Sequence, residues 1–168
     1  KKINNIDIGS AQKILDELNS PYCINDRLSM VTVSIGISVF PDDGNNTEEL
    51  LKKADLAMYK SKNSGKNTFH FYTNQLTFTQ HRESEIEAHL RQALINDEFT
   101  LFYQPKYNLI TKEVMGAEIL LRWHSKVLGP ISPGEFIPVA EHSSLIIDLG
   151  QWVLRKACLQ IMEWSDKN

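Results

Sequence analysis

Cysteine is scarce in this chain: two in 168 residues. Cys23 and Cys158 lie far apart, without CxxC spacing and without a histidine cluster beside them. That pattern excludes a disulfide-stapled scaffold and a cysteine-rich zinc site, so isolated structural cysteines are expected. No apolar stretch approaches the roughly 18 residues that mark a membrane-spanning helix. The start Lys1, Lys2, Ile3, Asn4 has no signal-like apolar core after it. This region is therefore expected to be soluble and cytoplasmic, with any membrane association assigned to a segment outside it. A strong charge bias is also missing. The net charge of −3 provides no broad basic surface, so no nucleic-acid polymer is expected as a partner. The chain lacks an initiator methionine, which predicts a fragment of a longer protein.

What is present suits a folded chain. Hydrophobic residues make up 42%, enough to build a core, and the length allows one domain or two small ones. A short helix is predicted over 10–18, capped by Ser10, with Ile14, Leu15 and Leu18 on related faces. Pro21 ends it. Residues 22–24 and 28–39 flank Asn25, Asp26 and Arg27, which reads as a β-hairpin. In its second arm Val31, Val33, Ile35 and Ile37 alternate with Thr32, Ser34, Gly36 and Ser38, and Gly36 allows close backbone packing. Thr47 then resembles a cap before a helix carrying Leu50, Leu51, Ala54, Ala57 and Met58, stopped by Gly65. A short strand follows over 68–72.

The polar stretch 73–80 is the best junction. Beyond it, Ile86, Leu90 and Leu94 predict a helix over 82–94. Strands are predicted over 99–104 and 114–123, around a loop containing Asn108. Ser132 and Pro133 start a further helix near 136–141, and 145–164 is strongly helical. The division is thus 1–74, a junction at 75–80, and 81–168.

Glu118 and Arg122 stand four residues apart at the end of the second of these strands. Strand side chains alternate, so 118, 120 and 122 share a face while Ile119 and Leu121 point away. A carboxylate suits a hard divalent cation, and a guanidinium fork suits phosphate. A structural Arg–Glu pair satisfies the same spacing.

Two sets of residues, taken together, resemble a known tandem. Val33 to Ser38 and Ala54 to Asn67, with Asp55, Met58, Tyr59, Lys60, Lys62, Gly65 and Lys66, are similar to the C-terminal half of a GGDEF diguanylate cyclase domain. Tyr103, Gln104 and Pro105, the run Ala117 to Trp123, Pro133 to Glu141, and Leu149 to Leu154 resemble the start of an EAL cyclic di-GMP phosphodiesterase domain. The resemblance covers almost the whole chain, in the order of the GGDEF–EAL tandem. It implies a mixed α/β and α+β fold: a partial cyclase-like ferredoxin/palm domain, then the beginning of a modified TIM barrel.

The resemblance also implies functions. GGDEF domains join two GTP molecules into cyclic di-GMP, and EAL domains hydrolyse it to linear pGpG with Mg²⁺ or Mn²⁺. Glu118 corresponds to the metal-binding glutamate, Gln104 and Arg122 to substrate contacts, and Leu120 to a substrate-packing position. Ile119 replaces the usual alanine. Lys62 and Lys66 fit positions that approach GTP phosphates, and their i,i+4 spacing puts both on one helical face if the helix reaches that far; without the resemblance, two lysines at a helix end are an ordinary solvated surface. Asp55 is given no metal. Trp123 is expected to pack in the fold, Glu141 to be structural or at the surface, and His124 and His142 to be non-catalytic. Ser143 and Ser144 depart from the family's usual continuation.

The GG[D/E]EF signature is absent from the sequence, and a complete TIM barrel takes about 250 residues. The expectation is a cyclic di-GMP turnover protein whose complete parent is the phosphodiesterase, with a parent that is also a diguanylate cyclase left open, while the isolated chain is inactive in both reactions. The alternative is a catalytically degenerate cyclic di-GMP sensor or regulatory module. Expected partners are cyclic di-GMP, GTP at the first unit, and a homodimer mate or regulatory protein.

Overall fold

The computed structural model describes residues 8–24 and 27–166. They form two compact units, divided between Gln80 and His81.

In the first unit, α1 (Ile8–Leu18) buries Ala11 and Leu15, one turn apart, while Ile14 remains exposed. Ser10 lies inside this helix rather than at its cap. Strands β1 (Tyr22–Ile24) and β2 (Arg27–Ser29) pair antiparallel, with Tyr22 opposite Ser29. Asn25 and Asp26 of the expected turn lie outside the described residues.

The long second hairpin arm does not form. After β2 the chain leaves that sheet, and β3 (Ser34–Ile37) instead pairs in parallel with β4 (Thr68–Phe71). Parallel neighbours need a crossover, here α2 (Thr47–Asn63). Gly36 makes that crossover fit: a Cβ there would run into the Ala54 carbonyl and the Met58 amide nitrogen, and would sit 2.8 Å from Met58 Cα. The buried Ser61 hydroxyl adds a polar tie, 2.8 Å from the Ile35 carbonyl and 3.0 Å from His70 Nδ1. One helical side chain therefore reaches both strands.

The start of α2 is capped one residue earlier than Thr47. Asn46 Oδ1 accepts the Glu49 backbone N–H at 2.9 Å, and Thr47 is the first helical residue. Gly65 ends the helix as expected, at φ +101°. The Lys66 N–H then donates back to the Ser61 carbonyl at 3.2 Å, satisfying a carbonyl of the last turn.

Helix α3 (Asn74–Ile95) begins well before residue 82 and includes the polar stretch expected as a junction. A polar sequence is compatible with an exposed helix when it contains no proline or glycine. In the second unit α3 buries Ile86, Leu90 and Ala93. Strands β5 (Phe99–Tyr107), β6 (Val114–Ser125) and β7 (Gly129–Ile131) form an antiparallel sheet in that order. The loop between β5 and β6 is built on Asn108, whose Oδ1 accepts the Ile110 and Thr111 N–H groups at 2.8 and 3.2 Å. Strand β7 is not apparent in the sequence, being three residues long and containing Pro130, which suits an edge.

Helix α4 (Pro133–His142) starts as the sequence predicts, with Ser132 as cap and Pro133 in its first turn. The Glu135 carboxylate accepts from the Ser132 N–H and hydroxyl, at 3.4 and 3.1 Å. It also accepts from Arg82 Nε at 3.1 Å. Burial pushes its carboxyl up, yet the Arg82 and Ser132 hydrogen bonds and the Arg82 charge outweigh this and hold it below the ordinary value. Helix α5 (Ile146–Ser165) completes the unit.

The core of this unit is aromatic. The Phe99 ring lies 5.5 Å from Trp123 and 5.7 Å from Phe136, and Trp123 meets Phe136 edge-on at 5.6 Å. Trp123 is only 1% exposed, and its indole N–H donates to Glu98 Oε2 at 3.1 Å. It packs in the fold, as expected. Cys23 and Cys158 are free thiols and both exposed, so neither serves the core.

Candidate functional site

The β5–β6 ladder sets the site. Its register places Gln104 opposite Glu118, Phe102 opposite Leu120, and Thr100 opposite Arg122. Alternation then puts Gln104, Glu118, Leu120 and Arg122 on one face of the sheet. Trp123 belongs to the other face, where the core lies, and Leu101, Leu121 and Ile119 share that side. Residues distant in sequence are thereby brought to one surface by backbone hydrogen bonding alone.

Glu118 and Arg122 do not sit at a strand end as predicted. Strand β6 continues to Ser125, which leaves both residues inside it. They do not pair either. Four residue steps along the strand separate them by about 13 Å, and each has another partner. Glu118 Oε2 lies 3.1 Å from Lys106 Nζ. Arg122 Nη1 donates to the Leu121 carbonyl at 2.9 Å, and its guanidinium lies 5.8 Å from the Phe102 ring centroid. These contacts hold the guanidinium against β6 and the neighbouring β5 while the residue stays exposed.

A hollow of about 660 Å³ adjoins Arg122, with Phe102, His124 and Ser132 among its walls. Gln104 and Glu118 are not part of it. Another, of about 570 Å³, lies against Tyr103, Ile119, Met115, Ile161 and Trp164. Ile119 therefore spends its extra bulk in an apolar groove on the side opposite Glu118.

As ligands, the Glu118 carboxylate and the Gln104 amide oxygen are hard donors, suited to Mg²⁺ or Mn²⁺. Their chemistry fits such an ion; their number does not complete a coordination shell. Among the described residues, no group of three His, Cys, Asp or Glu side chains is placed to hold a metal.

In the first unit the two lysines are not stacked on one helical face. Helix α2 ends at Asn63, so only Lys62 is helical, and Lys66 has left-handed backbone at φ 62°. Gly65 turns the chain before the next helical turn can form. Both residues are exposed, as is Asp55. Glu141 and His124 are exposed too, and His142 Nδ1 lies 2.7 Å from the Pro138 carbonyl. Ser143 Oγ donates to the Val139 carbonyl at 2.8 Å, which makes the departure at 143 a helix-end bond.

Lys106, the partner of Glu118, is the residue of this candidate site that sequence reasoning missed. Its signal was the two-residue spacing from Gln104, which places both on one face. Which carboxylate it meets depends on cross-strand register.

The diguanylate cyclase GGDEF domain family matches residues 5–68, and the EAL domain family matches residues 87–168. The signaling protein YkoW of Bacillus subtilis is 40% identical over 157 residues, covering 94% of this chain and 20% of that protein. The bifunctional diguanylate cyclase/cyclic di-GMP phosphodiesterase MucR of Pseudomonas aeruginosa is 37% identical over 156 residues, or 93% and 23%. The biofilm architecture maintenance protein MbaA of Vibrio cholerae is 46% identical over 131 residues, or 78% and 17%. The chain thus spans about a fifth of the length of these curated relatives, and its similarity crosses from one domain family into the other. No described helix is long and apolar enough to cross a membrane.

Proposed function

Because the chain belongs to the tandem GGDEF–EAL signalling family, we propose that it is part of a cyclic di-GMP signalling protein whose EAL unit hydrolyses cyclic di-GMP to pGpG. The division follows 1–74 and 81–168. The observation that carries the reading is the cross-strand pairing of Gln104 with Glu118, on the face that also bears Leu120 and Arg122.

In this reading Glu118 gives a divalent cation one carboxylate, and water with groups beyond these residues completes its shell. Mg²⁺ or Mn²⁺, when bound, lowers the pKa of a water and offsets charge on phosphoryl oxygens. Gln104 has both a donor and an acceptor to orient the dinucleotide. Leu120 supplies an apolar contact, and Arg122 a planar fork for phosphate. Lys62 and Lys66 are the candidate GTP phosphate contacts of the first unit. A homodimer mate or a regulatory protein is the proposed macromolecular partner.

The alternative, a catalytically degenerate sensor, draws on the Ile119 substitution and on the altered loop at 142–144. Ile119 points into the groove with Tyr103 and Trp164, away from Glu118, which favours the hydrolase. The 168-residue chain alone carries one acidic ligand of the site and is proposed to be inactive in both reactions. Hydrolysis of cyclic di-GMP by the complete protein tests the reading. Nucleotide binding without metal-dependent turnover would instead establish the sensor.

A further inference from the structure

The Glu118 carboxylate already has a cation beside it. Lys106 Nζ stands 3.1 Å from Glu118 Oε2, with both side chains more than half exposed. Register explains the meeting. Lys106 lies opposite Gly116, one ladder step of the same face beyond the Gln104–Glu118 pair. Gly116 has no side chain, and no other group lies within 4 Å of where its Cβ would stand. Lacking an opposite neighbour, the Lys106 stem crosses diagonally to Glu118, a reach that long side chains have across strands.

An ammonium and a divalent cation on the same carboxylate repel each other, and Nζ stands 3.1 Å from one of its two oxygens. We propose that Lys106 is a resident counter-ion of Glu118, which competes with a divalent cation for the carboxylate, so that Lys106 lowers the metal affinity of the site. The inference rests on Glu118 being a metal ligand. It adds that the free carboxylate is kept neutralised and oriented between occupancies, at a cost to affinity equal to the strength of the ion pair.

Mn²⁺ titrations of the complete protein test this, with the paramagnetic resonance of free Mn²⁺ as readout and ionic strength held constant. An exposed ion pair contributes a modest amount, so Lys106→Met should lower the Mn²⁺ dissociation constant about 1.5- to 5-fold. Lys106→Arg keeps a cation in place and should retain the parent value. Glu118→Gln should abolish the binding, and adding Lys106→Met to it should then change nothing. If Lys106→Met binds Mn²⁺ no more tightly, or Lys106→Arg tightens it equally, while Glu118→Gln still abolishes binding, the counter-ion role is overturned and the metal-ligand role stands. Unchanged Mn²⁺ binding in Glu118→Gln, or no binding in any of these proteins, overturns both.

Discussion

Gln104 and Glu118 face each other across an antiparallel ladder, one from each strand of the second unit. Neither residue depends on the other for its place. Backbone pairing positions both, and the core on the reverse face fixes which way they point.

Glu118→Gln removes the proposed negative ligand while nearly conserving volume. In the complete protein the expected outcome is at least about 100-fold less pGpG production, since loss of groups that merely support a ligand already costs roughly 10- to 100-fold. Turnover across a wide Mg²⁺ and Mn²⁺ range, with circular dichroism as a control for folding, reads this out. Parent-like turnover by the folded variant would remove Glu118 from the site.

Arg122→Ala should weaken cyclic di-GMP binding about 10-fold or more at low salt, because the proposed charge-assisted hydrogen bond to phosphate is lost. The deficit should shrink as salt rises and screens the long-range part of the attraction. Titrations at several ionic strengths give the slope. Equal affinities at every salt concentration rule out phosphate contact.

Phe136→Ala should destabilise the second unit by about 3–5 kcal/mol, the usual range for emptying a buried aromatic site. Phe136 is fully buried against Phe99 and Trp123. A urea midpoint followed by tryptophan fluorescence measures the loss.

Gly36→Ala tests the first unit. Its new methyl would meet backbone of α2 rather than a yielding side chain, so the cost should reach about 1–3 kcal/mol or more. Cooperative unfolding at the parent midpoint would show that α2 can move aside freely.

Acid should loosen the start of α4. The folded Glu135 carboxyl titrates below its ordinary value. Its contribution is therefore fully present above the unfolded pKa and is lost as pH falls through the lower folded value. Glu135→Gln should make stability less dependent on pH across that acidic window, with the largest deficit near neutrality. The group is partly exposed, so salt should reduce the effect.

Local chemistry made much of this fold legible. Ser132 and Pro133 announced α4, Gly65 the end of α2, and alternation from Glu118 to Arg122 the shared face. Non-local pairing was not legible. The alternation over 31–37 is compatible with either a hairpin arm or a parallel strand, and only its partner at 68–71 decides. Helix α3 was concealed at its start by polar composition, which reports exposure rather than conformation. Lys62 and Lys66 looked equivalent because spacing implies one helical face only while the helix lasts. Lys106 could not be matched to Glu118 until register aligned Gln104 with it.

The register slips once, beside Lys106. Lys106 lies opposite Gly116 and Tyr107 opposite Val114, which leaves Met115 as an extra residue on β6. This bulge separates the tip of the hairpin from the rungs that carry Gln104 and Glu118. A one-residue insertion or deletion between 108 and 113 can be absorbed by losing or enlarging the bulge, instead of rotating Glu118 to the wrong face. The hairpin can therefore drift in length through mutation while the rungs below it keep their orientation.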